Sequence, residues 1–233
     1  MPTVLITGAS KGLGKELLKI YLHNKWKVFP LVREKNLISE IISSYKNQCF
    51  PIIGDITSEN IKNRITTVLK THSRSLDVLI NNAGNIKKNR GLINTTVDDL
   101  QELFDVHCKG VFVCIKTVLP FLRNAPNPKV INITSRWGSI QRTANGKGNA
   151  IYSYNIAKAA QNMLTAILHQ ELKDINISVY AVHPGKLLTS IAAADADTPP
   201  EIAADRLFHW INNIPDDLNC QLYDLMNDSV IEW

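Results

Sequence analysis

Tyr154 and Lys158 stand four residues apart in A-I-Y-S-Y-N-I-A-K-A-A-Q, residues 150–161. On a helix that spacing puts both side chains on one face, where a phenol and an ammonium can work as an acid–base pair. A free tyrosine has a pKa of about 10, poorly matched to proton transfer at neutral pH, and a cation beside it favours the phenolate. Lowering that pKa from about 10 to about 7 corresponds to roughly 4 kcal/mol of differential stabilisation. Tyr152 has Ile156 at the same offset and lacks such a partner. The segment taken alone is also compatible with an aromatic and a solvated charge on an ordinary helix.

A second chemical signal is T-G-A-S-K-G-L-G, residues 7–14, with Gly8, Gly12 and Gly14. Glycine lets the backbone turn tightly and come close to a pyrophosphate, whose charge then sits at a helix N-terminus. The spacing is G-x-x-x-G-x-G rather than G-x-G-x-x-G. A glycine turn needed only for helix–sheet packing is the alternative. The position of the turn, at the first strand-to-helix crossing, favours the phosphate reading, because ligands bind there at the carboxyl ends of strands.

The elements that must position these residues follow from the apolar pattern. Strands are expected at 3–7, 27–32, 49–53 (weakened by Pro51), 76–81, 129–134, 177–183 and 220–225. Helices are expected at 12–24, about 35–45, from an N-cap at Ser58 to about 72, from Thr95 or Thr96 to about Pro120, at 151–173 and near 200–212. Asp98 and Asp99 suit the first turn of the long fourth helix, where the dipole favours acids. Continuous apolar strands alternating with helices mean a parallel sheet covered on both faces. The fold expected is α/β, a single doubly wound Rossmann-type domain over 1–233 with about seven strands.

Four motifs in this order, T-G-x-x-x-G-x-G, N-N-A-G at 81–84, Ser135 at the exit of the fifth strand and Y-x-x-x-K, resemble the short-chain dehydrogenase/reductase family over essentially the whole chain. H-P-G-K-L-L-T, then A-D-A-D-T-P-P-E before a helix, and Trp233 are similar to its small C-factor-like members. The resemblance implies a cofactor half over about 1–125, a catalytic and substrate half over about 126–233, and hydride transfer between a nicotinamide and a carbonyl or alcohol. Tyr154 is then the general acid/base, Lys158 its tuner and ribose clamp, and Ser135 the hydrogen-bond donor to the substrate oxygen. Thr134 and Ser139 are rival hydroxyls, but Ser135 has the S-x-x-G context.

For the cofactor, the resemblance points to Gly8, Ser10, Lys11, Gly12, Leu13 and Gly14 of the turn, to Asp55 facing the adenine with Ile56 beside it, and to Asn81 along the channel followed by Asn82, Ala83 and Gly84. Pro184 and Gly185 follow, with Thr189 on the carboxamide; Asp55 and Thr189 could instead cap loops or helices. An acid at the end of the second strand would bind the ribose 2′-OH of NAD, and an arginine would accept a 2′-phosphate. That end is L-V-R-E, with Val32 at the acid's place and Arg33 next, and Lys11 is a second cation. NADP(H) is therefore expected over NAD(H). Glu34 is the counter-argument, since a register slip of two would bring it to the ribose.

The sequence departs from the family pattern twice. Where an asparagine is usual in N-x-x-G, the fourth helix reads D-V-H-C-K-G-V-F, so His107 takes that place in the relay, with Gly110 in register. A histidine can donate, accept and, with a pKa near 6.5, shuttle protons; it could also simply bond a backbone carbonyl. The interval from Ser135 to Tyr154 is about six residues longer than the family's usual spacing, and Asn145-Gly146 and Lys147-Gly148 suggest an exposed turn by the substrate mouth. Trp137 is a candidate pocket wall. A family pocket is further built by the loop after Gly185 and the helix near 200–212.

The bulk properties of the 233 residues set the remaining bounds. A formal charge of +5 comes from scattered cations, densest at Lys87-Lys88-Asn89-Arg90, which argues against a nucleic-acid partner. The four cysteines form no C-x-x-C pair, and the chain enters a strand-like run at once, so a reduced, cytoplasmic protein without signal peptide is expected. No apolar run approaches the roughly 18 residues of a membrane span. No metal is called for. The partners expected are a small carbonyl or alcohol substrate and, through the long helices at 96–123 and 151–173, a second copy in a homodimer or homotetramer. A dinucleotide-binding regulatory protein with little turnover is the competing function.

Overall fold

Strand β1 (Thr3–Thr7) is buried at every position, with Val4 and Ile6 in one apolar cluster and Leu5 in another. Successive side chains of a strand point to opposite faces, so a strand apolar throughout needs a helix layer on each side. The computed structural model, which describes residues 1–87, 89–148, 151–189, 195–215 and 218–233, provides both layers. Helix α1 (Gly12–His23) and helix α8 (Pro200–Asn212) cover the first face through Leu17, Leu18 and Tyr21 against Ala204, Leu207 and Phe208. Helices α3 (Ile61–His72), α5 (Gly110–Leu122) and α7 (Tyr152–Lys173) cover the second through Ile65, Leu69, Val111, Val118 and Leu168.

Among the described residues the sheet has eight strands, in the order β3-β2-β1-β4-β5-β6-β7-β8. The others are β2 (Lys27–Val32), β3 (Ile52–Ile53), β4 (Val78–Asn81), β5 (Lys129–Ile133), β6 (Ser178–His183), β7 (Leu222–Asp224) and β8 (Ser229–Ile231). All pairs are parallel except β7–β8. The expected doubly wound sheet is therefore present. The additional strand, β8, is only three residues long and returns antiparallel, a length at which no period-2 pattern is legible. From β1 the chain winds outward through β2 and β3, then returns to β4 on the other side of β1. Between β1 and β4 lies the switch point at which such sheets bind ligands.

Local chemistry explains where boundaries moved. Helix α3 begins at Ile61, not at Ser58, because the Ser58 hydroxyl is spent on the Asp55 carbonyl at 2.7 Å. β3 is cut to two residues beside Pro51, with an isolated bridge from Val28 to Cys49. Thr96 caps helix α4 (Val97–Phe104) in a reciprocal box with Asp99. The long helix expected beyond it is interrupted by a π-helical turn over Asp105–Lys109 before α5 resumes. The 35–45 segment is a 3-10 turn (Lys35–Ile38) followed by the short helix α2 (Ser39–Ser44).

The long interval between Ser135 and Tyr154 folds as a 3-10 turn (Arg136–Gly138) and a short helix α6 (Ile140–Ala144). Ser139 caps α6 and donates to the Glu232 carbonyl at 2.5 Å, while the Gln141 amide donates to the Trp233 carbonyl at 3.0 Å. This segment is tied to the C-terminal residues, and none of residues 139–148 lines the cavity described next, so the expected position by the substrate mouth is corrected.

Candidate active site

One cavity of about 660 Å³ opens along the carboxyl ends of the strands. At one end the backbone leaves β1 and turns through Gly8 (φ +69) into α1. A Cβ on Gly8 would lie 2.8 Å from Ala83 Cα, and a Cβ on Gly14 would lie 2.5 Å from Asn82 Nδ2 and collide with the Gly8 carbonyl. The turn and the N-N-A-G loop thus pack backbone to backbone. Thr7 binds them together, its hydroxyl accepting from the Asn82 and Ala83 amides at 3.0 and 2.9 Å. Asn82 closes the joint, its Nδ2 donating to the Thr7 carbonyl at 2.9 Å. Lys11, at the N-cap of α1, offers no side-chain acceptor to the first amides of the helix, which leaves a helix N-terminus suited to an anion.

The sequence-derived cofactor residues fall on this wall with two exceptions. Gly8, Ser10, Lys11, Gly12 and Leu13 line it, as do Arg33, Asp55 and Ile56 from the ends of β2 and β3. So do Asn82, Ala83 and Gly84, and opposite them Pro184, Gly185 and Thr189. Gly14 is not a lining residue; it permits the contact of α1 with the Gly8 carbonyl. Asn81 turns into the sheet layer, where its Nδ2 donates to Asn132 Oδ1 at 2.8 Å, and so does not border the channel. Arg33 lines the cavity and Glu34 does not, which removes the register slip. Asp55 also holds its own loop, accepting from the Thr57 amide and hydroxyl at 2.8 and 2.7 Å.

At the other end Ser135, Tyr154, Lys158 and His107 converge. Ser135 leaves β5 with its hydroxyl hydrogen-bonded to Tyr154 and accepting from the Trp137 amide at 3.2 Å. The rivals are committed elsewhere, Thr134 to Asn162 at 2.6 Å and Ser139 to Glu232. Tyr152 is exposed on α7, whereas Lys158 lies on the buried face of the helix. Burial pushes the Tyr154 phenol up to about 12, and the Ser135 hydrogen bond draws it partly back. The net shift is therefore upward, opposite to the lowering expected. Lys158 Nζ stands 5.7 Å from the centre of the Tyr154 ring and donates to the Ile133 carbonyl at 2.8 Å and to Gln161 Oε1 at 2.9 Å. Burial brings its own pKa down to about 7.

His107 occupies the π-helical turn, which re-aims it toward the cavity, and meets the Tyr154 ring edge-on at 5.5 Å. Its ring is so close to the N-N-A-G loop that a Cβ on Gly84 would lie 2.7 Å from Cε1. Nε2 lies 2.8 Å from the Asn85 carbonyl, so the hydrogen bond assigns the proton to Nε2 and makes Nδ1 a buried acceptor without a partner among the described residues. Burial, then the charge of Lys158, holds its pKa well below 6.5. A proton shuttle near pH 6.5 is thus corrected to a neutral acceptor.

Sequence reasoning missed several participants. Gln161 is one turn beyond Lys158 and starts a buried chain: the Thr165 hydroxyl donates to the Gln161 carbonyl at 2.8 Å, Asn132 Nδ2 to Thr165 at 2.9 Å, and Asn81 to Asn132. Its signal was a polar residue on the buried face of a helix. His183, at the end of β6, lines the cavity and is pushed by burial to about 4. Arg136 and Lys186 also line it, beside Trp137, whose ring meets Tyr154 edge-on at 6.1 Å. The loop after Gly185 and the start of α8 contribute Leu187, Leu188, Pro200 and Glu201.

A dinucleotide-binding switch point joined to a serine–tyrosine–lysine centre defines an oxidoreductase of the nicotinamide-using kind. The family model for short chain dehydrogenase matches residues 2–199, and the chain belongs to that family. It is 31% identical over 208 residues to the rhamnolipids biosynthesis 3-oxoacyl-[acyl-carrier-protein] reductase of Pseudomonas aeruginosa, covering 86% of this chain and 78% of that one. It is 30% identical to the short chain dehydrogenase gsfK of Penicillium aethiopicum, covering 99% and 93%. The fold matches the NADPH-bound carbonyl reductase from chicken fatty liver with a TM-score of 0.90 at 24% identity, over 100% of this chain and 99% of that one. The Pseudomonas aeruginosa RhlG/NADP active-site complex matches with a TM-score of 0.83 at 25% identity, over 96% and 94%.

Proposed function

We propose that the protein is an NADP(H)-dependent reductase of carbonyl compounds. The observation that carries this reading is a single cavity lined at one end by the glycine turn and Arg33 and at the other by Ser135, Tyr154 and Lys158. The residues fit the cofactor: an uncapped helix N-terminus for the pyrophosphate, Lys11 and Arg33 for a 2′-phosphate, Asp55 and Ile56 near the adenine, and Pro184, Gly185 and Thr189 toward the nicotinamide. Relatives described with NADPH or NADP support the same choice. When bound, the nicotinamide supplies the hydride. The first half of the chain, about 1–125, mainly holds the cofactor, and about 126–233 mainly serves the substrate, within one domain.

Ser135 donates to the substrate carbonyl oxygen and orients it. Tyr154 gives its phenolic proton to that oxygen as charge develops there. A phenol near 12 is protonated at neutral pH, which suits the reductive direction. Once the proton has left, the phenolate is stabilised by the ammonium of Lys158 on the same helix face. With the cofactor bound, Lys158 would also hold the ribose hydroxyls, and His107 Nδ1 would serve as acceptor in the relay that reaches Lys158.

The test is NADPH oxidation across ketones, aldehydes and quinones, with Tyr154→Phe expected to lower kcat about 1000-fold. Tight NADPH binding without turnover anywhere in the panel would instead revive the regulatory reading. We further propose pairing of two copies through α5 and α7, where Phe112, Ile156, Met163 and Ile167 are 45–62% exposed; a monomer by sedimentation would refute it. The reading places the protein in the cytoplasm. No described helix is long and apolar enough to cross a membrane.

A further inference from the structure

The cavity mouth carries two cations that proton and hydride transfer leave unused. Arg136 directly follows Ser135 and Lys186 directly follows Gly185, so both are fixed by the turns that build the reacting centre, and both line the cavity. They converge on one atom. Arg136 Nη2 lies 3.3 Å and Lys186 Nζ 3.7 Å from the same oxygen, Asp195 Oδ2. Lys186 also lies 2.6 Å from Asp197 Oδ2.

The two sides of this cluster differ in solvation. Asp195 is 59% exposed, whereas Arg136 and Lys186 are 25% and 29% exposed. Exposed ion pairs of this kind are weakly held, because water competes for the carboxylate. Arg136, Arg142 and Lys158 also bear on His183 deeper in the site, opposed by Asp224. A guanidinium offers a planar fork that matches a carboxylate, and an ammonium beside it adds a second charged donor. The Asp195 carboxylate already displays the geometry with which this pair holds an oxyanion.

We propose that Arg136 and Lys186 are the specificity site for a carboxylate on the substrate, which exchanges with the side chain of Asp195 while the reducible carbonyl lies against Ser135 and Tyr154. The substrate class is then carbonyl compounds that carry a carboxylate at the end away from the reacting carbon. This inference rests on the reductase reading given above.

The test compares 4-carboxybenzaldehyde with its methyl ester, which differ at the far end by a negative charge and one methyl group. In the unmodified enzyme kcat/KM for the acid is expected to exceed that for the ester by about tenfold, as charge-assisted hydrogen bonds allow. Arg136→Gln and Lys186→Gln each collapse that ratio, and added salt lowers it. Asp195→Ala, at an exposed position, raises it. Equal use of acid and ester by the unmodified enzyme, or a ratio unmoved by Arg136→Gln in protein that still binds NADPH, overturns the proposal. If neither aldehyde is reduced, the reductase reading is what fails. The acid-to-ester ratio is then read as binding to the NADPH-loaded protein through quenching of NADPH fluorescence, and equal binding overturns the anion site independently.

Discussion

The two ends of the cavity are built by different physics. The cofactor end is a matter of shape: Gly8, Gly14, Ala83 and Asn82 bring two backbones so close that side chains are excluded. The reacting end is a matter of dielectric: Lys158, His107 and His183 are buried and Tyr154 half-buried, and burial is the largest cause of shift for each. A steric site announces itself by residue type, whereas a desolvated site names its members in the sequence but withholds their protonation states.

The largest effect expected from breaking that contrast is at Lys158. Its pKa in the fold is about 7 against 10.5 when solvated. The unfolded chain therefore binds more protons between those values, and stability rises with pH through that window. The penalty is complete below about pH 7 and, with two hydrogen bonds offsetting part of it, is on the order of 2–4 kcal/mol. The melting temperature of cofactor-free protein should climb from pH 7 to pH 9, and Lys158→Met should flatten that climb. An equal climb in both proteins would show the ammonium to be already well compensated.

Gly14→Ala attacks the steric end. Its methyl would press on the Gly8 carbonyl, costing about 1–3 kcal/mol in urea unfolding and weakening NADPH binding together. Loss of stability without loss of affinity would separate the turn from the cofactor. Arg33→Ala, one strand end away, should lower NADPH affinity about tenfold relative to NADH with little change in stability. Titration of both cofactors decides it.

The smallest effect is at His107, where the two ends meet. His107→Asn should keep kcat within about threefold and His107→Ala should lose about tenfold, because only the former retains a buried acceptor. Neither variant should remove a titration near pH 6.5, since burial holds the His107 pKa well below that value. If kcat and its pH profile stay unchanged in both variants, His107 is structural only.

Most of the architecture was legible because continuous apolar runs such as Val4–Leu5–Ile6 and Val179–Tyr180–Ala181–Val182 admit few other layouts. Each of the four motifs contributes residues to the cavity lining. What escaped depended on partners distant in sequence. α6 is tied through Ser139 to Glu232, 93 residues on, whereas at Ser58 a near neighbour, the Asp55 carbonyl, took the hydroxyl. Asn81 and Asn82 look alike as letters, yet Asn81 ends β4 and bonds across the sheet to Asn132, whereas Asn82 begins the loop that lines the cavity. Arg136, Lys186 and Asp195 meet only in three dimensions.

The buried chain from Lys158 through Gln161, Thr165 and Asn132 to Asn81 has a mechanical meaning. A slip of α7 by one residue would rotate it by about 100° and advance it about 1.5 Å. The links to β5, Asn132 to Thr165 and Lys158 to Ile133, would then be severed inside a dry layer, stranding amide, hydroxyl and ammonium groups at once. The chain works as an indexing pin that admits one angular setting of the helix. Tyr154, a turn above it, inherits that setting, so the placement of the phenol over the cavity is fixed from beneath by groups that never touch a substrate.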